Sequence, residues 1–403
     1  MLRLHDTRRR KRLPFRPRDG DVVTLYVCGV TPYDTTHLGH ARTFLVFDVL
    51  VRYLEAKGRR VRYAQNVTDV DESILKRAAR DGVDWRALGR REERAFLADM
   101  RRLEWRKPDV MPHATREIPR MREMIARLER RKVAYRTRTG VYFPIAAAPH
   151  YGELSRLSHP RMARICISQD DAFLDDPERG DPLDFALWRS VPDGPTWASP
   201  WGRGRPGWHL ECSAMATGHL GERIDIHGGG RDLIYPHHEN EIAQSEAATG
   251  KRPAVGWWMH VGPVRLGGAK MSKSDGNMVF VRDALERVSP AGLRLYLLDR
   301  AYRLPLDHDE AELARAEERS ARLRDALGRV PSRGSRVPPG GSRVPPGGSK
   351  AMARLERSDA TEALDDDLDT PGAIRALERR AARRLTERER ASLRAAARVL
   401  GVI

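Results

Sequence analysis

The segment from Val22 to Val67 alternates in a way that few folds accommodate. "VVTLYVC", Val22 to Cys28, is a short β-rich run, and a Gly/Pro/Thr turn region follows it. From His40 to Ala56, "HARTFLVFDVLVRYLEA" repeats apolar residues at helical spacing and is followed by Gly58. "RRVRYAQNV" is again strand-like. Parallel strands need a crossover connection, usually a helix, so strand, turn, helix, strand predicts an α/β domain with a parallel sheet. Ligands of such sheets bind at the carboxyl ends of the strands, where Cys28 and Thr68 both fall.

The pattern resumes near Leu210 and runs through "IDIHGGG", a helix starting near Pro236, and "WWMHVG". Between the two halves, Trp85 to Glu129 carries charged residues at helical spacing, and "TGVYFPI" through "ISQDDAFLDD" reads as an irregular insertion of strands and loops. From Asp307 onward the chain reads as helical: "DEAELARAEERSARLRDALG", "KAMARLERSDATEALDDDLDT" and "PGAIRALERRAARRLTERERASLRAAARVL". The expected division is an α/β domain over 1–306, with its insertion at about 115–205, and a helical domain over 307–403. A tandem seven-residue duplication, "GSRVPPGGSRVPPG", interrupts the helices. Its proline and glycine exclude a helix and predict a flexible linker over 329–349.

The 403-residue chain has 40% hydrophobic and 32% charged residues, as a globular protein does. No apolar run approaches the roughly 20 residues that span a bilayer, and the basic start "MLRLHDTRRRKRLPFRPRDG" lacks the apolar core of a secretory signal. A cytoplasmic location with no membrane partner is expected. Three cysteines, Cys28, Cys166 and Cys212, are too few and too odd a set for a disulfide framework. The formal charge of +17 suggests a polyanionic partner, with nucleic acid the first candidate. Charge alone leaves open that the arginines are spread over solvated faces.

Three groups of residues carry chemistry. Cys28, Cys212 in "PGWHLECSAM", and His237 and Glu241 in "PHHENEIAQSEA" form a candidate metal set. His237 and Glu241 stand four apart, on one helical face, and thiolate, imidazole and carboxylate all suit Zn²⁺. Spacing alone also fits two unrelated buried cysteines and a chance His/Glu pair. His37-Leu38-Gly39-His40 lies at a strand-to-helix junction, where free N–H groups and the helix dipole favour phosphate, although the quartet by itself is a weak motif. "GGAKMSKSDGN", Gly267 to Asn277, places Lys270 and Lys273 in a glycine-flanked cationic loop suited to gripping phosphates during transfer. Read without its partner, it is equally an ordinary polar loop.

Together the HxGH and KMSKS elements resemble the two signature sequences of class I aminoacyl-tRNA synthetases. "YVCGVTPYDTTHLGHAR", "QNVTDVDESI", "PGWHLECSAM", "DIHGGGRDLIYPHHENEIAQSEA" and "KMSKSDGNM" resemble cysteinyl-tRNA synthetases from about Leu25 to Asp307, with a weaker match at "DDDLDTPGAIRAL". The resemblance implies a Rossmann-like catalytic domain with an insertion, followed by a C-terminal helical bundle. It implies that Cys28, Cys212, His237 and Glu241 hold one Zn²⁺ that binds the substrate thiolate. Gly29, Thr68, Trp208 and His227 belong to the substrate site, and His37, His40 and Asp232 help seat ATP, which brings Mg²⁺. Lys270 and Lys273 bind its phosphates. The implied reaction is ATP-dependent formation of cysteinyl-AMP from L-cysteine and transfer to tRNA-Cys, by a monomer.

Some residues depart from that pattern. Pro32 in "TPYDTTHLGHA", "DGVDWRAL" and Ser73 resemble the related cysteine ligase of mycothiol biosynthesis, which passes the same adenylate to glucosaminyl-inositol. His227, Glu241 and "YGELSRLS" are synthetase-like. The chain ends at "LGVI" just after the helices, so recognition without a small anticodon-binding domain is expected. A catalytically inactive paralogue that binds RNA or protein is a third reading, against which intact His37, His40, Lys270, Lys273 and all four candidate ligands argue.

Overall fold

The computed structural model describes residues 1–168, 176–191, 194–271, 278–328, 355 and 357–403. The chain opens with a hairpin of β1 (Arg3–Asp6) and β2 (Lys11–Pro14). β3 (Val22–Val30), α1 (Leu38–Ala56) and β4 (Arg60–Val67) form a crossover unit. Next come α2 (Glu72–Asp81), α3 (Trp85–Arg102), α4 (Ile118–Arg130), β5 (Tyr135–Arg136), β6 (Gly140–Phe143), α5 (His159–Ser168), β7 (Phe185–Ser190) and β8 (Gly204–Pro206). The second half of the central sheet follows as α6 (Trp208–Leu220), β9 (Ile224–Gly230), α7 (Glu239–Thr249) and β10 (Val255–Val261). Short strands β11 (Val264–Leu266), β12 (Ala269–Lys270) and β13 (Leu306–Asp307) surround α8 (Val281–Ala284) and α9 (Pro290–Leu298). The last helices are α10 (Glu310–Leu327), α11 (Asp359–Asp365), α12 (Thr370–Ala381) and α13 (Glu387–Leu400).

The central sheet has the order β10-β9-β3-β4, with every neighbouring pair parallel. That order puts all four carboxyl ends on one edge, with Gly29, Val67, Gly230 and Val261 near them. β3 is buried along most of its length, as a parallel strand covered on both faces must be. α1 buries residues all round, including Phe44, Phe47, Val51 and Leu54. It also buries Arg42, which donates to the carbonyls of Gly262 (2.9 Å) and Leu304 (2.8 Å), and Asp48, which pairs with Arg294 of α9. The insertion forms its own antiparallel sheet, β5-β6-β7-β8.

One expectation needs correcting. "KAMARLERSDATEALDDDLDT" is not helical to its end: α11 stops at Asp365, and Asp367 and Leu368 take left-handed backbone angles (φ 58° and 54°). The Asp367 carboxylate accepts from Tyr302, Arg303 and the His5 amide at 2.7–2.9 Å, a tertiary demand that a continuous helix would not meet. The basic start of the chain folds as the β1–β2 hairpin, with Leu2, Leu4 and Phe15 buried. The expected linker at 329–349 lies outside the described residues.

Candidate active site and metal centre

A cleft of about 680 Å³ opens at the carboxyl edge of the central sheet. Its walls carry Cys28, Gly29, His37, His40, Thr68, Trp208, Cys212, Asp232 and His237, brought together from six separate elements and loops. Each position has a local cause. At Gly29 a β-carbon would stand 1.7 Å from the Asn66 carbonyl oxygen, so only glycine lets β3 approach β4 where their register breaks. The Gly29 amide donates to Asn66 Oδ1 (2.8 Å), and Asn66 Nδ2 donates to Thr68 Oγ1 (3.0 Å).

His37 is the N-cap of α1, its Nδ1 accepting from the His40 amide at 3.3 Å, and the two rings stack 3.7 Å apart. An accepting Nδ1 puts the proton of a neutral imidazole on Nε2, which makes that atom a donor. A β-carbon at Gly39 would be 2.9 Å from the His37 ring, so the glycine makes this arrangement possible. Asp232 lies in a single 3₁₀ turn, Arg231–Leu233, just past β9.

The floor of the cleft is a buried cluster. Donor atoms of Cys28, Cys212, His237 and Glu241 all lie within 4.8 Å of one another, and so do those of Cys28, His227, His238 and Glu241. Glu241 Oε1 stands 3.4 Å from Cys28 Sγ and 3.1 Å from His237 Nε2. A tetrahedral zinc with ligand distances of about 2.0–2.3 Å spaces its donors roughly 3.3–3.8 Å apart; distances of 3.2–3.8 Å in the second set come near that spacing, as do 3.4 and 3.1 Å in the first. Cys28, Cys212 and His237 of the first set also line the cleft, whereas His227 and His238 lie behind, stacked against or beside Trp258.

The field in the cluster favours a cation. Burial opposes a charged His237, yet Glu241 and Cys212 lift it to about 10. Burial likewise pushes the Cys212 thiol up, but hydrogen bonding to Cys28 and the charge of His237 bring it down to about 7. Glu241 and the Cys212 sulfur, gathered out of water, thus favour a proton on the imidazole, and a divalent ion would serve the same charge. His237 Nδ1 meets His209 Nδ1 at 3.0 Å, which leaves Nε2 on the Glu241 side. Trp208 stacks on His237 with ring centres 4.3 Å apart.

The only non-helical residue in Ile234–His238 is extended Tyr235 (φ −139°), so the kink lies ahead of His237. From there the backbone runs helically into α7, and His237 and Glu241 meet at (i, i+4), as their spacing predicts. His227 lies under the metal set, its Nε2 3.5 Å from both Cys28 Sγ and Glu241 Oε2. Lys270 closes the short antiparallel pair β11–β12, its backbone paired with Arg265. Lys273 lies outside the described residues.

Three residues escaped the sequence reading: Asn66, His209 and His238. All stand inside the quoted motifs "QNVTDVDESI", "PGWHLECSAM" and "PHHENEIAQSEA". Their roles come from side-chain direction across strands and helices, which spacing does not reveal.

The family profile described as "tRNA synthetases class I (C) catalytic domain" matches residues 14–318. The chain belongs to that family. The cysteine--tRNA ligase of Trichodesmium erythraeum is 41% identical over 93% of this chain and 77% of its own length. That of Thermococcus gammatolerans is 41% identical over 93% and 78%. Among solved structures, methionyl-tRNA synthetase of Mycobacterium tuberculosis in complex with methionyl-adenylate superposes with a TM-score of 0.62 at 18% identity, covering 94% of this chain and 89% of that one. This last likeness speaks for the class I synthetase fold. No helix among the described residues is long and apolar enough to cross a membrane.

Proposed function

We propose that this chain is a cysteine--tRNA ligase: it converts L-cysteine and Mg·ATP to cysteinyl-AMP and pyrophosphate, then transfers the cysteinyl group to the 3′ end of tRNA-Cys. The observation that carries this reading is the two-sulfur cluster on the floor of a cleft whose wall is the start of α1. Cys28, Cys212, His237 and Glu241 would hold Zn²⁺, with His209 fixing the His237 ring. When bound, the ion supplies Lewis-acid affinity for a thiolate, for which a serine hydroxyl is a poor substitute.

The other residues divide the work of positioning. Trp208 and the Asn66-held Thr68 would enclose the amino acid above the floor, beside Gly29, and His227 supports Glu241 from below. His37 Nε2–H, His40 and the open turn at Gly39 would receive ATP, with Asp232 on the facing wall. Lys270 and Lys273 would bind the phosphates as charge builds on the departing pyrophosphate. The cysteine carboxylate attacks the α-phosphate in line. A ribose hydroxyl of the tRNA then attacks the adenylate carbonyl and AMP leaves. Neither step needs a covalent enzyme intermediate, so catalysis rests on orientation and electrostatics.

A second cavity of about 420 Å³ adjoins the cleft at Trp208 and is lined by Lys76 of α2, Arg189 of β7 and Arg205 of β8. Asp71, Glu72, Glu211 and Asp232 line it as well, and Arg205 pairs with Glu72, so the lining is mixed in charge and the tRNA reading draws its electrostatic support from the +17 charge of the chain. We read 1–306 as the catalytic unit and 307–403 as a helical unit that leans on the tRNA. The site is assembled from one chain, which supports a monomer, and the tRNA substrate supports a cytoplasmic location.

Cysteine-dependent exchange of label between pyrophosphate and ATP tests the activation step. Exchange with cysteine and far weaker exchange with serine is expected. Absence of exchange with cysteine would overturn the reading.

A further inference from the structure

We propose that Thr7, in the turn between β1 and β2, is a positioning residue of the metal centre: its hydroxyl sets the direction of a hydrogen-bond chain that ends on the Cys28 sulfur. The chain runs from Thr7 Oγ1 to His260 Nδ1 (2.8 Å), from His260 Nε2 to His238 Nδ1 (2.8 Å), and from His238 Nε2 to Cys28 Sγ (3.2 Å). His238 and His260 are both buried. The inference rests on the reading that Cys28 binds a metal as thiolate.

Its direction follows from proton counting. A metal-bound thiolate only accepts, so His238 Nε2 must carry the proton. A neutral imidazole has one N–H, so His238 Nδ1 accepts and His260 Nε2 must donate. His260 Nδ1 then accepts, and the partner left to donate is the Thr7 hydroxyl. The neutral state of His260 agrees with its surroundings: burial, then the His227 and Arg231 charges, hold it down to about 3. Each link polarises the next, so the sulfur receives a stronger donor than an isolated imidazole offers.

The hairpin is anchored firmly enough for this task. The Thr7 amide donates to the Trp258 carbonyl (2.9 Å), and the Trp258 amide donates to Asp6 Oδ1 (3.0 Å). Arg8, mostly buried, pairs with Glu246 of α7 (2.8 Å) and with Glu153 of the insertion (2.9 Å). Without the hydroxyl, His260 Nδ1 faces a methyl group and loses its donor. The opposite tautomers then become available, and in those His238 would present a lone pair to the thiolate. A half-buried threonine outside every signature motif would thus set the polarity of the metal's surroundings.

The test uses the full chain loaded with Zn²⁺ or Co²⁺ and compares Thr7→Val, Thr7→Ala and Thr7→Ser. Valine keeps the shape and the backbone bond to Trp258, and thermal unfolding checks that each variant folds. The valine and alanine variants should give up Zn²⁺ to a competing chelator about 10-fold more readily, and the thiolate-to-Co²⁺ charge-transfer band should shift. The serine variant should match the parent in both. If the parent binds one Co²⁺ and the valine and alanine variants match it in affinity and spectrum, the proposal is overturned and the metal reading stands. A serine variant as impaired as valine would also overturn it. A parent that binds no metal would sink both.

Discussion

The Leu38 amide donates to the Val279 carbonyl at 2.9 Å, and so ties the first turn of α1 to the residues that follow the Gly267–Asn277 segment. The Val281 amide returns the contact to the Thr36 carbonyl at 2.8 Å. Met271 and Met278, on either side of Lys273 in sequence, line the same cleft as His37 and His40, although more than two hundred residues separate the two motifs.

That juxtaposition makes Lys273 a test of how the charge is used. Lys273→Ala should slow cysteine-dependent ATP–pyrophosphate exchange by about 100-fold, which corresponds to roughly 2.7 kcal/mol, while the KM for cysteine changes little. A charge needed mainly in the transition state produces that split. An unchanged exchange rate would mean that the segment is an ordinary surface loop.

The metal set makes a sharper distinction between cysteines. The purified protein should carry about one Zn²⁺ per chain, and Cys212→Ser should lose the metal and cysteine activation together. Cys166 is also buried, but it packs in the insertion against Tyr235, with its sulfur 3.4 Å from the phenolic oxygen. Cys166→Ala should leave the zinc content as it was. Elemental analysis of the three proteins reads both outcomes.

Asp48 and Arg294 fasten the nucleotide-side helix α1 to α9, and Arg294 also donates to the carbonyls of Leu103 and Leu400. Burial pushes the Asp48 carboxyl up, but the charges of Arg294 and Arg52 outweigh it and hold it below the ordinary range. A carboxyl depressed by folding stabilises the native state above its unfolded pKa of about 3.9, and that contribution fades as pH falls through the lower folded value. Asp48→Asn leaves the buried guanidinium without its counter-charge and should cost about 3 kcal/mol at neutral pH. The parent should lose part of that advantage on acidification below pH about 4, so the two denaturation curves converge there. Parallel curves would contradict the assignment.

The parallel sheet was legible because its strands and first helix obey simple periodicity, and because a crossover between parallel strands has few alternatives. Cys28 and Thr68 were placed at the right edge by the same argument. The metal set was named from residue type and left open on spacing alone; the fold brings its four donor atoms within 4.8 Å of one another. The break at Tyr235, just ahead of His237, was not legible, since it lies where Tyr235 packs against the insertion. Nor was the β1–β2 hairpin, whose arginines mask the buried Leu2 and Leu4. Asn66, His209 and His238 act through neighbours distant in sequence, and only the assembled fold brings them into play.

Phosphate recognition should make the transfer step depend on salt. With a net charge of +17 on the chain, the KM for tRNA should rise steeply between 50 and 200 mM salt, by on the order of 10-fold or more. Cysteine activation, which needs no polyanion, should change far less over the same range. Equal salt sensitivity of the two half-reactions would contradict phosphate contacts as the basis of tRNA recognition.

The most direct measurement gives one preparation of the protein radiolabelled cysteine and ATP, with either tRNA or glucosaminyl-inositol as acceptor. Label should appear at the 3′ end of tRNA-Cys and not on the amino sugar. Label on the amino sugar and none on tRNA would contradict the account of the acceptor, while leaving the metal centre and the adenylate chemistry in place.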